Sequence, residues 1–281
     1  MQYLQEHSRL CRKLLRDYEE ERQTMKIDRK HVEDTFRKYT NAYDSTDEKI
    51  KLKIAHTYRV AGLCERIAQS ENLSAEEVEL SWLLGMLHDV GRFEQLRRYD
   101  TFNDAMSIDH AKLGAEILFG SENKIRDYIK DGAEDLLVET AILTHNAYRL
   151  PEELDERTEK FCHILRDADK IDILRVNVEV PLEEIYNTTI EDVQNAVVTE
   201  AVMDNFFTHC ATPRRIKKSS VDHLVGHISL VYELVFSESL RIVKNDGYLE
   251  QLLHFESRNP HTQKQFDVLR RELEHYLQER T

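Results

Sequence analysis

Only eight glycines and four prolines punctuate 281 residues, so the chain has few places to turn and must run in long helices. Val32, Phe36, Tyr39 and Tyr43 fall at i, i+4, i+7 and i+11, one apolar face of the second of two helices expected within residues 1–43. The run STDE at 45–48 has the form of a capping box and opens a helix over 46–70, with Val60, Leu63 and Ile67 on one face. A second box, SAEE at 74–77, starts a helix that runs into His88 and Asp89, with Gly91 as its stop. Residues 93–108 read as a loop containing TFNDAMS. Further helices are expected over 109–119, capped by Ser107 or Asp109 and ended by Gly120, over 134–147 before Pro151, and over 157–176, ending near Pro181. Residues 183–281 are helical again, interrupted by the basic run PRRIKKSS at 213–220. No strand alternation, internal repeat or low-complexity segment competes with this pattern. The expected fold is all-α, with an N-terminal helical extension over 1–44, a core over 45–182 and a C-terminal helical region over 183–281 packing on that core.

Charge narrows the partners. The formal net charge is −14, which disfavours binding to nucleic-acid polymers or to an anionic membrane. The N-terminal stretch is charged throughout and has no apolar signal region, and no apolar run approaches the length of a membrane span. Cys11, Cys64, Cys162 and Cys210 are far apart and form no C-x-x-C pair, a pattern expected of reduced thiols in the cytoplasm. No G-x-G-x-x-G, Walker A or G-x-S-x-G run is present, so dinucleotide, NTPase and serine-hydrolase chemistry lack support.

The chemistry gathers on histidines and aspartates. In LLGMLHDVGRF, Leu83 to Phe93, an apolar helix ends in adjacent His88 and Asp89, and a buried carboxylate is costly unless something pairs it. Adjacent residues diverge by about 100° in mid-helix, but a frayed last turn before Gly91 can aim both at one centre. His56 shares a face with Val60, Leu63 and Ile67 and so points inward. In HILRDADKIDILRV, Ile164, Asp167, Ile171 and Leu174 form one stripe, which puts the Asp167 carboxylate on the buried side and leaves Asp169 and Asp172 off it, as surface or supporting residues. His110 opens its helix, and His145 ends the apolar run ETAILTH. Alone, an inward histidine is ordinarily a core residue bonded to a carbonyl. Together, imidazoles and carboxylates from several helices are the donors that suit first-row divalent metals.

The ordered set His56, His88-Asp89 and Asp167 resembles the HD-domain superfamily of metal-dependent phosphohydrolases. The contexts HTYRV, MLHDVGR and RDADKID carry the likeness, over residues 48–176. The resemblance implies an HD-domain/PDEase-like helical bundle with additional N- and C-terminal helices. It implies that His56, His88, Asp89 and Asp167 hold a first metal. His110 and His145 resemble the extra histidines of the two-metal branch, in which Asp89 bridges to a second ion. One metal, with His110 touching substrate instead, is the other arrangement compatible with the spacing. The metal is Fe, Mn, Co, Ni or Zn, and ligand type does not choose among them.

Phosphoester hydrolysis by a metal-activated hydroxide is the activity this implies, on a nucleotide or related small phosphorylated metabolite. Asp89, Arg92 and Lys112 are then the catalytic candidates, with Arg59, Arg92, Arg214 and Arg215 as candidates for substrate contact. Arg214 and Arg215 belong to the basic run, which is either a solvated loop or a lid that attracts an anion. His223 and His227 have the i, i+4 spacing of a metal pair, but Leu224 stands where a zincin has glutamate, and they read as ordinary helix residues. The resemblance leaves two other classes open: a mixed-valence di-iron oxygenase of the same superfamily, and a non-catalytic metal- or nucleotide-binding regulatory module. A homodimer is also compatible with the extra helices.

Overall fold

The computed structural model describes residues 26–280, and among these it contains helices and short 3-10 turns but no strand. The first of the helices expected within residues 1–43, and Cys11, lie outside the described residues. The second is α1, Arg29–Thr40, capped by the Asp28 carboxylate on the His31 amide. It is followed by α2 (Glu48–Ser70), α3 (Ala75–Leu87), α4 (Val90–Tyr99), α5 (His110–Phe119), α6 (Ile125–Tyr128), α7 (Asp135–Thr144) and α8 (Glu156–Glu179). The C-terminal region continues with α9 (Leu182–Tyr186), α10 (Ile190–Asn195), α11 (Glu200–Phe206), α12 (Ser220–Ile228), α13 (Ser237–Asp246), α14 (Tyr248–Leu253) and α15 (Pro260–Arg280).

Three helices form the centre: α2 packs along α3 and α8, while α5 lies between α4 and α7, and α7 leans on α8. The capping box of Ser74 and Glu77 starts α3 as expected. From Leu80 to Leu87 every residue of α3 is buried, so the helix is enclosed on all sides. At α2 the expected box does not form. Asp44 takes the Thr46 amide and hydroxyl, and the Asp47 carboxylate accepts from the Lys49 amide instead. Aspartate outcompetes serine here because its charged oxygen also favours the positive end of the helix. Asp109, not Ser107, caps α5 by accepting from the Ala111 and Lys112 amides.

Two expectations around the apolar HD run are corrected. Residues 93–99 are not loop but belong to α4, whose Phe93 and Leu96 are buried and whose Glu94 pairs with Arg97 and Arg98. Gly91 does not stop α3. It lies inside the first turn of α4, where a Cβ would meet the His110 carbonyl oxygen at 2.2 Å and the Gly114 amide nitrogen at 2.7 Å. Its bareness serves a close helix crossing rather than a cap. The α1 helix braces the same turn, since the Tyr39 hydroxyl donates to the Val90 carbonyl at 2.8 Å and Phe36 packs edge-on against Phe93. The basic run forms a 3-10 turn over Arg214–Ile216.

Candidate metal centre

The break between α3 and α4 decides the site. His88 keeps helical angles as the C-cap of α3, while Asp89 turns to φ −105°, ψ 16° before α4 begins. This two-residue turn swings consecutive side chains toward one point, which a continuous helix would forbid. His56 arrives from the middle of α2, His110 from the first position of α5, His145 from the end of α7 and Asp169 from the middle of α8.

These residues form two donor groups on either side of one carboxylate. His56, His88 and Asp169 offer ligand atoms within 4.8 Å of one another, and so do Asp89, His110 and His145. Asp89 Oδ2 faces the first pair of imidazoles, at 3.5 Å from His56 Nε2 and 3.6 Å from His88 Nε2. Its Oδ1 faces the second pair, at 3.5 Å from His110 Nε2 and 3.8 Å from His145 Nε2. Asp169 Oδ1 lies 3.2 Å from His56 Nε2.

The protons of the four rings are assigned by their outer partners. Nδ1 of His88 donates to the Gly85 carbonyl and Nδ1 of His145 to the Ile142 carbonyl, at 2.8 and 2.7 Å. Nδ1 of His56 donates to Asp172 and Nδ1 of His110 to Asp104, both at 2.7 Å. Every neutral ring therefore presents a bare Nε2 lone pair to the interior. Those lone pairs face each other at 3.2 Å between His56 and His88 and at 3.0 Å between His110 and His145. Acceptor against acceptor at that distance is repulsive unless a proton or a metal ion lies between, and the imidazole and carboxylate donors gathered here are a set that fits divalent metal. Asp172 is itself gripped by Arg175 through Nε and Nη2, which fixes the support behind His56.

Burial sets the charge states. It pushes both His110 and His145 down to about 4, so both are neutral at pH 7 and ready to ligate. His88 is also lowered by burial. For His56 burial works downward too, but Asp169 and Asp172 outweigh it and the net shift is upward. Burial alone would raise Asp89; Lys53, His88 and Arg92 reverse that and hold its carboxyl well below the usual range.

Five of the residues expected as ligands, His56, His88, Asp89, His110 and His145, thus converge. Asp167 does not. Its carboxylate turns away and accepts from the Val235 and Phe236 amides at the start of α13, at 2.9 and 3.1 Å. Asp169 takes the place expected for Asp167. The single-stripe argument failed because α8 has no free side over this stretch: Leu165, Arg166, Asp167, Ala168, Lys170, Ile171 and Asp172 are all buried. Asp172, too, is a buried support rather than a surface residue. The usable signal was the spacing of Asp169 and Asp172, one turn apart, which lets one approach the centre while the other backs His56.

The basic candidates divide. Arg92 lies at the site, with Nε 3.6 Å from Asp89 Oδ1. Lys112 does not: its side chain is 74% exposed and pairs with Asp109 on the surface. Arg59 is exposed and faces Glu179 and Tyr248 rather than the histidines. Arg214 donates to Asn103 at 2.9 Å, which ties the basic turn to the loop that carries Asp104, while Arg215 is exposed. His223 and His227 stack on Tyr186, away from both donor groups. Lys53 was not foreseen; its ammonium donates to Asp89 Oδ2 at 2.7 Å.

Among known proteins, the family model of the HD domain matches residues 53–174, which hold all six converging donors. No curated protein and no solved structure matches the chain significantly.

Proposed function

We propose, from the match of the HD-domain family model to residues 53–174 and from the donor groups gathered there, that this chain is a metal-dependent phosphohydrolase acting on a small phosphorylated metabolite such as a nucleotide. His56, His88, Asp169 and Asp89 Oδ2 would hold one metal, and His110, His145 and Asp89 Oδ1 a second. Divalent metal there would lower the pKa of a water enough to make hydroxide the nucleophile near neutral pH, and would supply positive charge for the phosphoryl oxygens. The observation that carries the reading is the sharing of one buried carboxylate between two imidazole pairs.

The chain's own residues do the rest by holding protons and positions. Asp172 and Asp104 keep the protons of His56 and His110 on Nδ1, leaving Nε2 free to ligate. Arg92 is anchored through Nη1 to Gln95, the Phe102 carbonyl and Asp104, so its guanidinium reaches the site already oriented. The net charge of −14 argues for a small anion drawn in by local cations rather than for a polymer. No helix among the described residues is long and apolar enough to cross a membrane.

Elemental analysis together with a phosphoester panel run with Fe, Mn, Co, Ni and Zn tests the reading. Phosphate release in the absence of oxygen is expected. The same paired donor groups also suit a di-iron oxygenase, and strict dependence on oxygen without phosphate release would select that reading instead. Asp89→Ala should lose both metal and turnover, because one carboxylate serves both groups; full metal content in that variant would rule out the shared arrangement.

A further inference from the structure

Two cations flank the shared carboxylate from its two ends. Lys53 Nζ lies 2.7 Å from Asp89 Oδ2, and Arg92 Nε lies 3.6 Å from Oδ1. Both side chains are largely buried, at 16% and 15% exposure. Arg92 is held through one nitrogen only. Nη1 donates to three acceptors, whereas Nε is buried without a hydrogen-bond partner and Nη2 meets no acceptor among the described residues. The Nε–Nη2 edge of a guanidinium is the edge that grips two oxygens of one anion side by side. Lys53 uses one of its three N–H bonds on Asp89 and has no other acceptor among the described residues. The Phe102 ring lies 5.4 Å from Lys53 Nζ and 5.8 Å from Arg92 Cζ, so the two heads share one wall of the site.

Charge gives this arrangement a purpose. Once the Asp89 carboxylate serves metal, Lys53 loses its carboxylate partner and Arg92 keeps Asp104 at Nη1 alone, so an anion beside the two heads relieves the cost of their burial. We propose that Lys53 and the Nε–Nη2 edge of Arg92 form an oxyanion cradle for a dianionic phosphoryl group, which makes the substrate a phosphomonoester. The inference rests on the phosphohydrolase reading and narrows it. A monoester presents three non-ester oxygens and two charges, which suit the three nitrogens Lys53 Nζ, Arg92 Nε and Arg92 Nη2; a diester presents two oxygens and one charge.

The test uses full-length, metal-loaded protein, with inorganic phosphate as the probe in titration calorimetry. Lys53→Met should keep the metal content of the wild type and bind phosphate about tenfold or more weakly, the scale of one charge-assisted hydrogen bond. The preference for a chromogenic monoester over its diester should fall by a similar factor, and Lys53→Arg should restore both. Unchanged phosphate affinity in a fully loaded Lys53→Met protein would overturn the cradle. If Lys53→Met loses metal, Lys53→Arg decides: recovery of metal with phosphate affinity supports the cradle, and recovery of metal alone overturns it. Should neither variant hold metal, a wild type that cleaves diesters as readily as monoesters overturns it, and a strong monoester preference supports it. The two readings separate cleanly. A wild type that cleaves no phosphoester but binds phosphate through Lys53 removes the hydrolase and keeps the cradle, whereas cleavage with no role for Lys53 does the reverse.

Discussion

Asp167 and Asp169 stand two positions apart on α8, and their opposite fates follow from where the helix surface leads. Asp167 meets the free amides at the start of α13, where a carboxylate is a natural acceptor. Burial nevertheless pushes its pKa up to about 6, against the pull of those amide bonds. Asp169 meets imidazoles and is held well below the usual carboxylate range; burial opposes this, but His56 and the neighbouring histidines prevail. Asp169→Asn should therefore lose metal from the His56 and His88 group with little change in folding. Asp167→Ala should keep full metal content and lose about 1–3 kcal/mol of stability, since the buried Phe236 amide and the partly buried Val235 amide lose their acceptor. Metal analysis beside chemical denaturation separates the two, and the reverse pattern would return Asp167 to the ligand set. The sequence offered both aspartates in one short run, and nothing local distinguishes them: the choice depends on what α2 and α13 bring alongside.

At the scale of elements, the crossing of α4 and α5 positions the second donor group. Gly91 makes that crossing possible because backbone of α5 occupies the space a side chain would need. Gly91→Ala should force the helices apart, at about 2–4 kcal/mol, and should carry His110 away from His145. The expected result is a lower Tm with metal lost first from the Asp89, His110 and His145 group. Gly62→Ala is the control. It sits on exposed α2 surface with nothing within 4 Å of the added carbon, and should gain about 0.5–1 kcal/mol in helix propensity. A Gly91→Ala protein as stable and as fully loaded as the wild type would contradict the crossing argument. Gly91 illustrates the limit of local reading, because a glycine just after an apolar helix has the same sequence signature whether it ends that helix or admits the next one.

Across the whole molecule, burial of neutral histidines couples the site to stability. His110 and His145 sit near 4 when folded, against about 6.5 for a free imidazole. Between those values the unfolded chain binds more protons than the folded one at these two rings, so their share of stability falls as pH drops from about 6.5 to about 4. His88 and His227 are lowered by burial and act in the same direction, while His56, raised on balance by Asp169 and Asp172, and Asp167, raised by burial to about 6, oppose them. Acidification through the His110 and His145 window costs on the order of 3 kcal/mol at most for each ring. Metal at a hundredfold excess over its Kd adds about 2.7 kcal/mol per site, and that gain is lost over the same window because protons compete for Nε2. Chelator-treated protein should thus melt lower than loaded protein at pH 7, and both should lose Tm on acidification. Imidazole titrations of His110 and His145 near 6.5 in the metal-free folded protein would show that these rings are not buried neutral.

Helical class, the main helices, the α3 capping box and five of the six converging donors could be read from the sequence, because periodicity and capping are local and His56, His88, Asp89, His110 and His145 lie at ends or apolar faces of single helices. The sixth donor, Asp169, the supports Asp172 and Asp104, the cation Lys53 and the role of Gly91 could not. Each depends on which helices cross: an enclosed helix such as α8 presents polar side chains on several sides at once, and only the tertiary packing decides which side faces the paired donor groups.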